Sequence, residues 1–235
     1  MKEMKRPGLS RQEDRKFRKR LEKQNFTSLY IILCEGTRTE PLYFEKFKSV
    51  IEASSEQRVL IEVVGVGQST HKLIEYADRF IEEYSLSHAE IWMVADKDDF
   101  VDRQFNEWIR QSEKRNEKRM AGCGWHAAWS NECFELWMLL HFMFYTPAAN
   151  REEYYRIINE QFIAHGAGSY KKNRDDLFEV LTFQGDPRKA ILYARKLYEE
   201  KKRLPPAKAV PCTLVFELVS ELARYLPEPY RSRYF

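Results

Sequence analysis

Val94-Ala95-Asp96-Lys97-Asp98-Asp99 follows the apolar run Ile91-Trp92-Met93, so a buried strand here empties into a loop with three acids in four positions. Carboxylates this close repel one another, and a strand end brings no counter-charge of its own; a divalent cation or a basic partner resolves the conflict. In open α/β sheets this edge is also where ligands bind. Ile31-Ile32-Leu33-Cys34-Glu35-Gly36 has the same grammar, an apolar run ending in an acid and then a glycine. If the two strands are neighbours, Glu35, Asp96 and Asp98 converge as oxygen ligands for a hard cation. Magnesium, or manganese in its place, is the ion expected, because it takes carboxylate oxygens, keeps several waters and binds substrate phosphates. Taken alone, the acidic turn has a plainer reading, with Asp98 and Asp99 as turn residues and Asp96 capping the next helix.

Outward from this stretch the chain alternates. Leu29 to Cys34, Val59 to Val64, Glu90 to Ala95 and Gly124 to Trp129 read as strands. Between them, helices are expected from Pro41 through Ile51, from Ser69 or Thr70 through Glu83, and from Asp102 to Lys118. Gly65 and Gly67 lack the third glycine and the downstream acid of a dinucleotide fingerprint, and read as a strand-to-helix loop. The β-α-β-α-β-α-β order predicts an α/β fold with a mostly parallel four-stranded sheet flanked by helices. Beyond residue 130 helices are expected at Asn131 to Phe144, Arg151 to Ala164, Arg174 to Leu181, Pro187 to Lys202 and Pro211 to Tyr225. The organisation is then a basic arm over 1–26, an α/β core over 27–130, and a helical extension over 131–235 packed on that core.

Composition bounds the class. Of 235 residues 43% are hydrophobic, with 15 Phe, 13 Tyr and 5 Trp, which excludes general disorder. No apolar run reaches the roughly 20 residues of a membrane span, and the charged N-terminus lacks a signal peptide's apolar centre, so a cytoplasmic protein with no membrane partner is expected. Cys34, Cys123, Cys133 and Cys212 are scattered without a C-x-x-C pair, against both a disulfide framework and a zinc site. Net charge is +3, yet residues 1–25 hold ten Lys or Arg against four Asp or Glu, so the rest of the chain is net negative. Such an arm can track a phosphate backbone or dock on an acidic partner; as a solvated tail it would serve solubility alone.

Three separated segments carry a resemblance. Cys34-Glu35-Gly36-Thr37-Arg38-Thr39-Glu40-Pro41, the Asp96-Lys97-Asp98 pair, and Ser130-Asn131-Glu132-Cys133-Phe134-Glu135-Leu136-Trp137-Met138-Leu139-Leu140-His141-Phe142 together resemble the RloB-like family of prokaryotic proteins. One departure is Glu132, which stands where many relatives have Pro and bears on the shape of the loop. The resemblance implies a Toprim-like fold, in which an acid after the first strand and a D-x-D after a later one bind magnesium. It also implies restriction-modification and abortive-infection loci, a partner ATPase from the same locus, and by analogy a nuclease acting on DNA or RNA in phage defence.

Ser130 or Asn131 is expected to cap the following helix and leave backbone N–H groups for a phosphate. Glu135 is unusual on so apolar a helix and is expected to join the catalytic set, whereas His141, six positions on, reads first as a core residue. Arg38 and Lys97 flank the acids, and either contacts a phosphate or balances local charge. Ser169-Tyr170-Lys171-Lys172-Asn173-Arg174 is a basic loop that clamps a nucleic-acid backbone or is exposed surface; it resembles a Lys-bearing segment of the family. The expected catalytic set is Glu35, Asp96, Asp98, Glu135 and Lys171, with Glu40 and Asp99 behind it, metal on Glu35, Asp96 and Asp98, and nucleic acid on Arg38, Lys97, Ser130, Asn131 and Lys172. The expectation is a magnesium-dependent phosphodiesterase, with a second copy of the chain as a further candidate partner. The alternatives are a non-catalytic sensor module on the same fold, and a Toprim primase or RNA-maturation enzyme.

Overall fold

Cys34 and Asp96 end two strands that lie side by side, β1 (Ser28–Cys34) and β3 (Ala89–Asp96), paired in parallel from Leu29 with Ala89 to Cys34 with Val94. The computed structural model describes residues 9–23, 25–54, 59–67 and 69–235. Among these residues the sheet has five strands in the order β2-β1-β3-β4-β5, with β2 (Val59–Gly65), β4 (Gly124–Asn131) and β5 (Cys212–Thr213). The first four are parallel and β5 is antiparallel.

Pleating sorts side chains onto two faces with period two. Tyr30, Ile32, Cys34, Trp92 and Val94 face one core; Leu29, Ile31, Leu33, Ile91, Met93 and Ala95 face the other. Because both faces are covered, the strands read as continuous apolar runs. The second face is covered by α1 (Arg11–Glu22), α3 (His71–Tyr84) and α4 (Asp102–Glu117). The first is covered by α2 (Thr39–Ala53), α5 (Glu135–Leu139), α6 (Arg151–Ala164), α7 (Leu177–Phe183), α8 (Pro187–Lys201) and α9 (Val215–Ala223). The C-terminal segment thus supplies both β5 and most of one helical layer.

Three expectations are corrected. The sheet has five strands, not four: Cys212 and Thr213, expected inside a helix, pair with Asn131 and Ser130, and the Thr213 and Ser130 hydroxyls meet at 2.9 Å. Helix α5 starts at Glu135, because Ser130 and Asn131 are still strand, so neither caps it. The Asn131–Glu132 peptide bond between the two elements is cis. The basic arm, read as a solvated tail or a docking arm, carries a helix packed on the core: a Ser10 and Glu13 capping box starts α1, Phe17 is fully buried, and Arg18 reaches Glu83 on α3 at 2.8 Å. Residues 1–8 of that arm lie outside the described residues.

What positions the site is the seating of α2. Tyr43, Phe44 and Phe47 have no exposed surface, Phe47 lies 4.7 Å from Phe178 of α7, and the Trp137 indole N–H donates to the Tyr43 hydroxyl at 3.4 Å. The four cysteines are buried and free. Among the described residues no helix is long and apolar enough to cross a membrane.

Candidate functional site

At the C-terminal edge of β1 and β3 a concave pocket of about 510 Å³ opens between the sheet, α2, α5 and α6. Its lining includes Glu35, Glu40, Asp96, Asp98, Asp99 and Glu135, with Arg38, Arg151 and Lys172 as the cations and Tyr155 and Phe134 as aromatic wall. The backbone brings these acids together from four directions. Glu35 continues β1, its N–H donating to the Val94 carbonyl at 2.8 Å, while its own carbonyl accepts from Gly67 at 3.0 Å. Asp96 is the last residue of β3, in register with Ser130. The turn after it is pinned by Asp98, whose N–H reaches the Glu132 carbonyl at 3.1 Å and whose φ of 37° is one that Asp tolerates better than most residues. Glu40 lies in the first turn of α2, over Gly36, where an added Cβ would stand 2.6 Å from its carboxyl oxygen.

The electrostatics follow from crowding. Burial pushes the Asp96 carboxyl well above the usual range, and the negative charges of Glu40 and Glu135 push the same way, against the pull of Arg151. Burial raises Glu40 to about 7, with Glu135 and Glu35 adding to it. Glu35 is raised by burial as well, opposed by hydrogen bonds from the Thr70 hydroxyl and N–H and from the Asp96 backbone. Six carboxylates facing three cations leave the pocket short of positive charge. Arg151 is the cation that meets the acids directly, 2.5 Å from Asp98 and 3.9 Å from Asp96.

Whether this pocket suits a hard cation with a phosphate can be tested on its donors and acceptors. The oxygens are of the type such ions take. Two buried donors, Arg151 Nε and the Tyr155 hydroxyl, have no hydrogen-bond partner among the described residues, and both belong to the pocket wall. Orphaned donors beside a surplus of carboxylates are what a bound cation and anion together would satisfy. As they stand, no three His, Cys, Asp or Glu side chains among the described residues are drawn close enough to hold an ion. The reasons are local: Glu35 is turned onto Thr70, and Asp98 onto Arg151.

The pocket does not gather every residue singled out from the sequence. Glu35, Asp96, Asp98, Glu135, Glu40, Asp99, Arg38 and Lys172 line it. Lys171 is exposed and outside the lining; its neighbour Lys172 is the lysine within it, its ammonium 4.7 Å over the Tyr155 ring and its carbonyl accepting from the Thr39 hydroxyl at 2.9 Å. Lys97 turns away to Asp102 at 3.1 Å. Ser130 and Asn131 are buried, the first on Thr213, the second donating to the Pro206 carbonyl at 3.1 Å. His141 is buried with Nδ1 on the Trp137 carbonyl at 2.9 Å, and burial holds it down to about 4.

Sequence reasoning missed Arg151, Tyr155 and the contact of Tyr170 with Glu135, whose carboxylate accepts the Tyr170 hydroxyl at 2.7 Å. A signal for Arg151 was there to read. It is the first residue of α6, where the helix dipole disfavours a cation, so it calls for an anionic partner from elsewhere.

Fold and pocket together define an α/β protein with a carboxylate-rich cleft at the C-terminal edge of a parallel sheet. The model of the RloB-like protein family matches residues 30–222, and the chain belongs to that family. No curated protein and no solved structure matches it.

Proposed function

We propose that the pocket holds magnesium or manganese on Glu35, Asp96 and Asp98, and that the protein hydrolyses phosphodiester bonds of DNA or RNA. The observation that carries this reading is the convergence of six carboxylates from separate elements on one cleft at the edge where α/β sheets bind ligands. A divalent ion there would neutralise phosphate charge and lower the pKa of a bound water. This chain's own residues do the rest. Arg38 and Lys172 sit where they can hold the flanking phosphates, and Glu135, kept in place by Tyr170, faces the same cleft. Lys172 replaces Lys171 in the proposed set, because it is the lysine in the lining. The parallel order β2-β1-β3-β4 supports reading the core as Toprim-like. The family supports a role in antiviral defence beside an ATPase of the same locus, in the cytoplasm, with nucleic acid as the target.

One observation favours a second reading, a non-catalytic binding module. Arg151 already balances Asp98, and the carboxylates do not form a ready cage.

The test is cleavage of plasmid, single-stranded DNA, tRNA and rRNA with magnesium or manganese, alone and with the ATPase of the locus, comparing wild type with Asp96→Asn. Metal-dependent cleavage lost in the variant is expected. Intact nucleic acids under every condition would leave only the binding module.

A further inference from the structure

Arg151 and Tyr155 stand one turn apart on α6 and share a wall of the acidic pocket. The guanidinium is committed at one end only. Its terminal nitrogen reaches Asp98 at 2.5 Å and Asp96 at 3.9 Å, while Nε is buried with no partner among the described residues, as is the Tyr155 hydroxyl. Burial opposes the charge on Arg151, and Asp98 and Asp96 restore it. A third of its side chain is exposed, so the guanidinium has room to turn without unpacking the helix. The arrangement therefore contains a cation seated on two carboxylates and, beside it, two donors aimed at nothing.

We propose that Arg151 couples the two halves of the site: it competes with a divalent cation for Asp96 and Asp98 and, once displaced, forms with Tyr155 the seat of a phosphate. The inference rests on the metal reading above and adds to it a residue, a ligand position and an order of events. Two positive charges cannot share one pair of carboxylates without mutual repulsion, so the ion and the guanidinium exclude one another at that spot. A planar guanidinium released from a carboxylate presents a fork of donors that matches phosphate oxygens, and the Tyr155 hydroxyl adds one more. Because linkage is reciprocal, whatever factor the ion adds to phosphate affinity, phosphate adds to ion affinity. The pocket would bind the two together far better than either alone. That suits a site meant to hold metal only when a phosphodiester is present.

Calorimetry with manganese and with inorganic phosphate tests this on the full chain, comparing wild type with Arg151→Gln and Tyr155→Phe, each checked for an unchanged thermal transition. In wild type, manganese is expected to tighten phosphate binding by about tenfold, within the range of known couplings. Arg151→Gln should bind manganese alone about tenfold more tightly than wild type, having lost the internal competitor, yet show no tightening of phosphate by manganese. Tyr155→Phe should leave manganese affinity unchanged and weaken phosphate several-fold. If Arg151→Gln binds manganese no more tightly than wild type, or phosphate binding ignores manganese, the coupling is wrong while the metal reading stands. If neither wild type nor Arg151→Gln binds manganese, the metal reading falls and the coupling with it.

Discussion

Thr70 holds Glu35 with two donors at once: its backbone N–H at 3.0 Å and its hydroxyl at 2.9 Å both reach the carboxylate. The residue that immediately precedes α3 is thereby tied to the acid that follows β1, and Thr70 is fully buried while Glu35 is half-buried. Burial alone would drive Glu35 toward its neutral form; these donors work against that. Thr70→Val keeps the shape and removes the hydroxyl. It should raise the Glu35 pKa further and cost about 1–3 kcal/mol of stability at pH 8, the range for removing a partner from a buried charged acceptor. Below the Glu35 titration the carboxyl is protonated in both proteins and the difference should shrink. Urea unfolding over a series of pH values downward from pH 8 follows the difference; a cost independent of pH would mean the hydroxyl serves only packing.

How far the sequence reveals this site depends on where each partner lies. Glu35 and Asp96 are legible because each directly follows an apolar run, with Asp98 two positions on in the same turn, and a run's end is a property of neighbouring residues. The four parallel strands are legible for the same reason. Strand β5 is not, because two residues carry no period, and its pairing comes from Ser130, 83 positions earlier. That same pairing keeps Ser130 and Asn131 in a strand, and so shifts the start of α5 by four residues from its expected place at Asn131. Lys172 rather than Lys171 lines the pocket because the Thr39 hydroxyl fixes the loop's register, a contact between residues 133 apart. Arg151 is not legible in this way, because its meaning lies in Asp96 and Asp98 on another element.

Glu40 should make the protein less stable as the solution becomes more alkaline. Its carboxyl is raised from 4.5 to about 7 in the folded chain, first by burial and then by Glu135 and Glu35. Between those two values the folded state holds a proton that the unfolded state has lost, so stability falls as pH rises through the window. At about 1.4 kcal/mol per pKa unit, the loss is on the order of 2–3 kcal/mol between pH 4.5 and pH 7.5. Glu40→Gln cannot titrate and should retain that stability. The variant should therefore match or trail wild type at pH 4.5 and exceed it at pH 8 in urea unfolding; equal slopes with pH would remove Glu40 as the cause.

His141 has the opposite sign. Burial holds its pKa down from 6.5 to about 4, with Nδ1 on the Trp137 carbonyl and Nε2 without a partner among the described residues. The unfolded chain takes up a proton that the folded chain refuses, so stability is lost as pH falls from 6.5 toward 4, by on the order of 2–3 kcal/mol. His141→Asn keeps a donor near the Trp137 carbonyl and does not titrate. It should flatten the acid side of the stability curve without changing manganese affinity, since His141 is absent from the pocket lining. A change in manganese affinity would instead give His141 a functional role.

Tyr170 is expected to hold Glu135 in place at the cleft. Its hydroxyl donates to Glu135, a residue only 4% exposed, and its backbone N–H donates to the Asn159 side chain at 2.9 Å. The loop around it turns through Gly166 and Gly168, both with positive φ, and returns to the pocket at Lys172. Tyr170→Phe leaves a buried carboxylate one donor short and should cost about 1–3 kcal/mol. It should also speed amide hydrogen exchange across residues 166–173, because the hydroxyl is one of the few ties between that loop and α5. A double-mutant cycle with Glu135→Gln separates this contact from packing: the glutamine oxygen still accepts, but without the charge, so a coupling of about 1 kcal/mol is expected. A coupling near zero, with exchange unchanged, would show that Glu135 is held by something other than Tyr170.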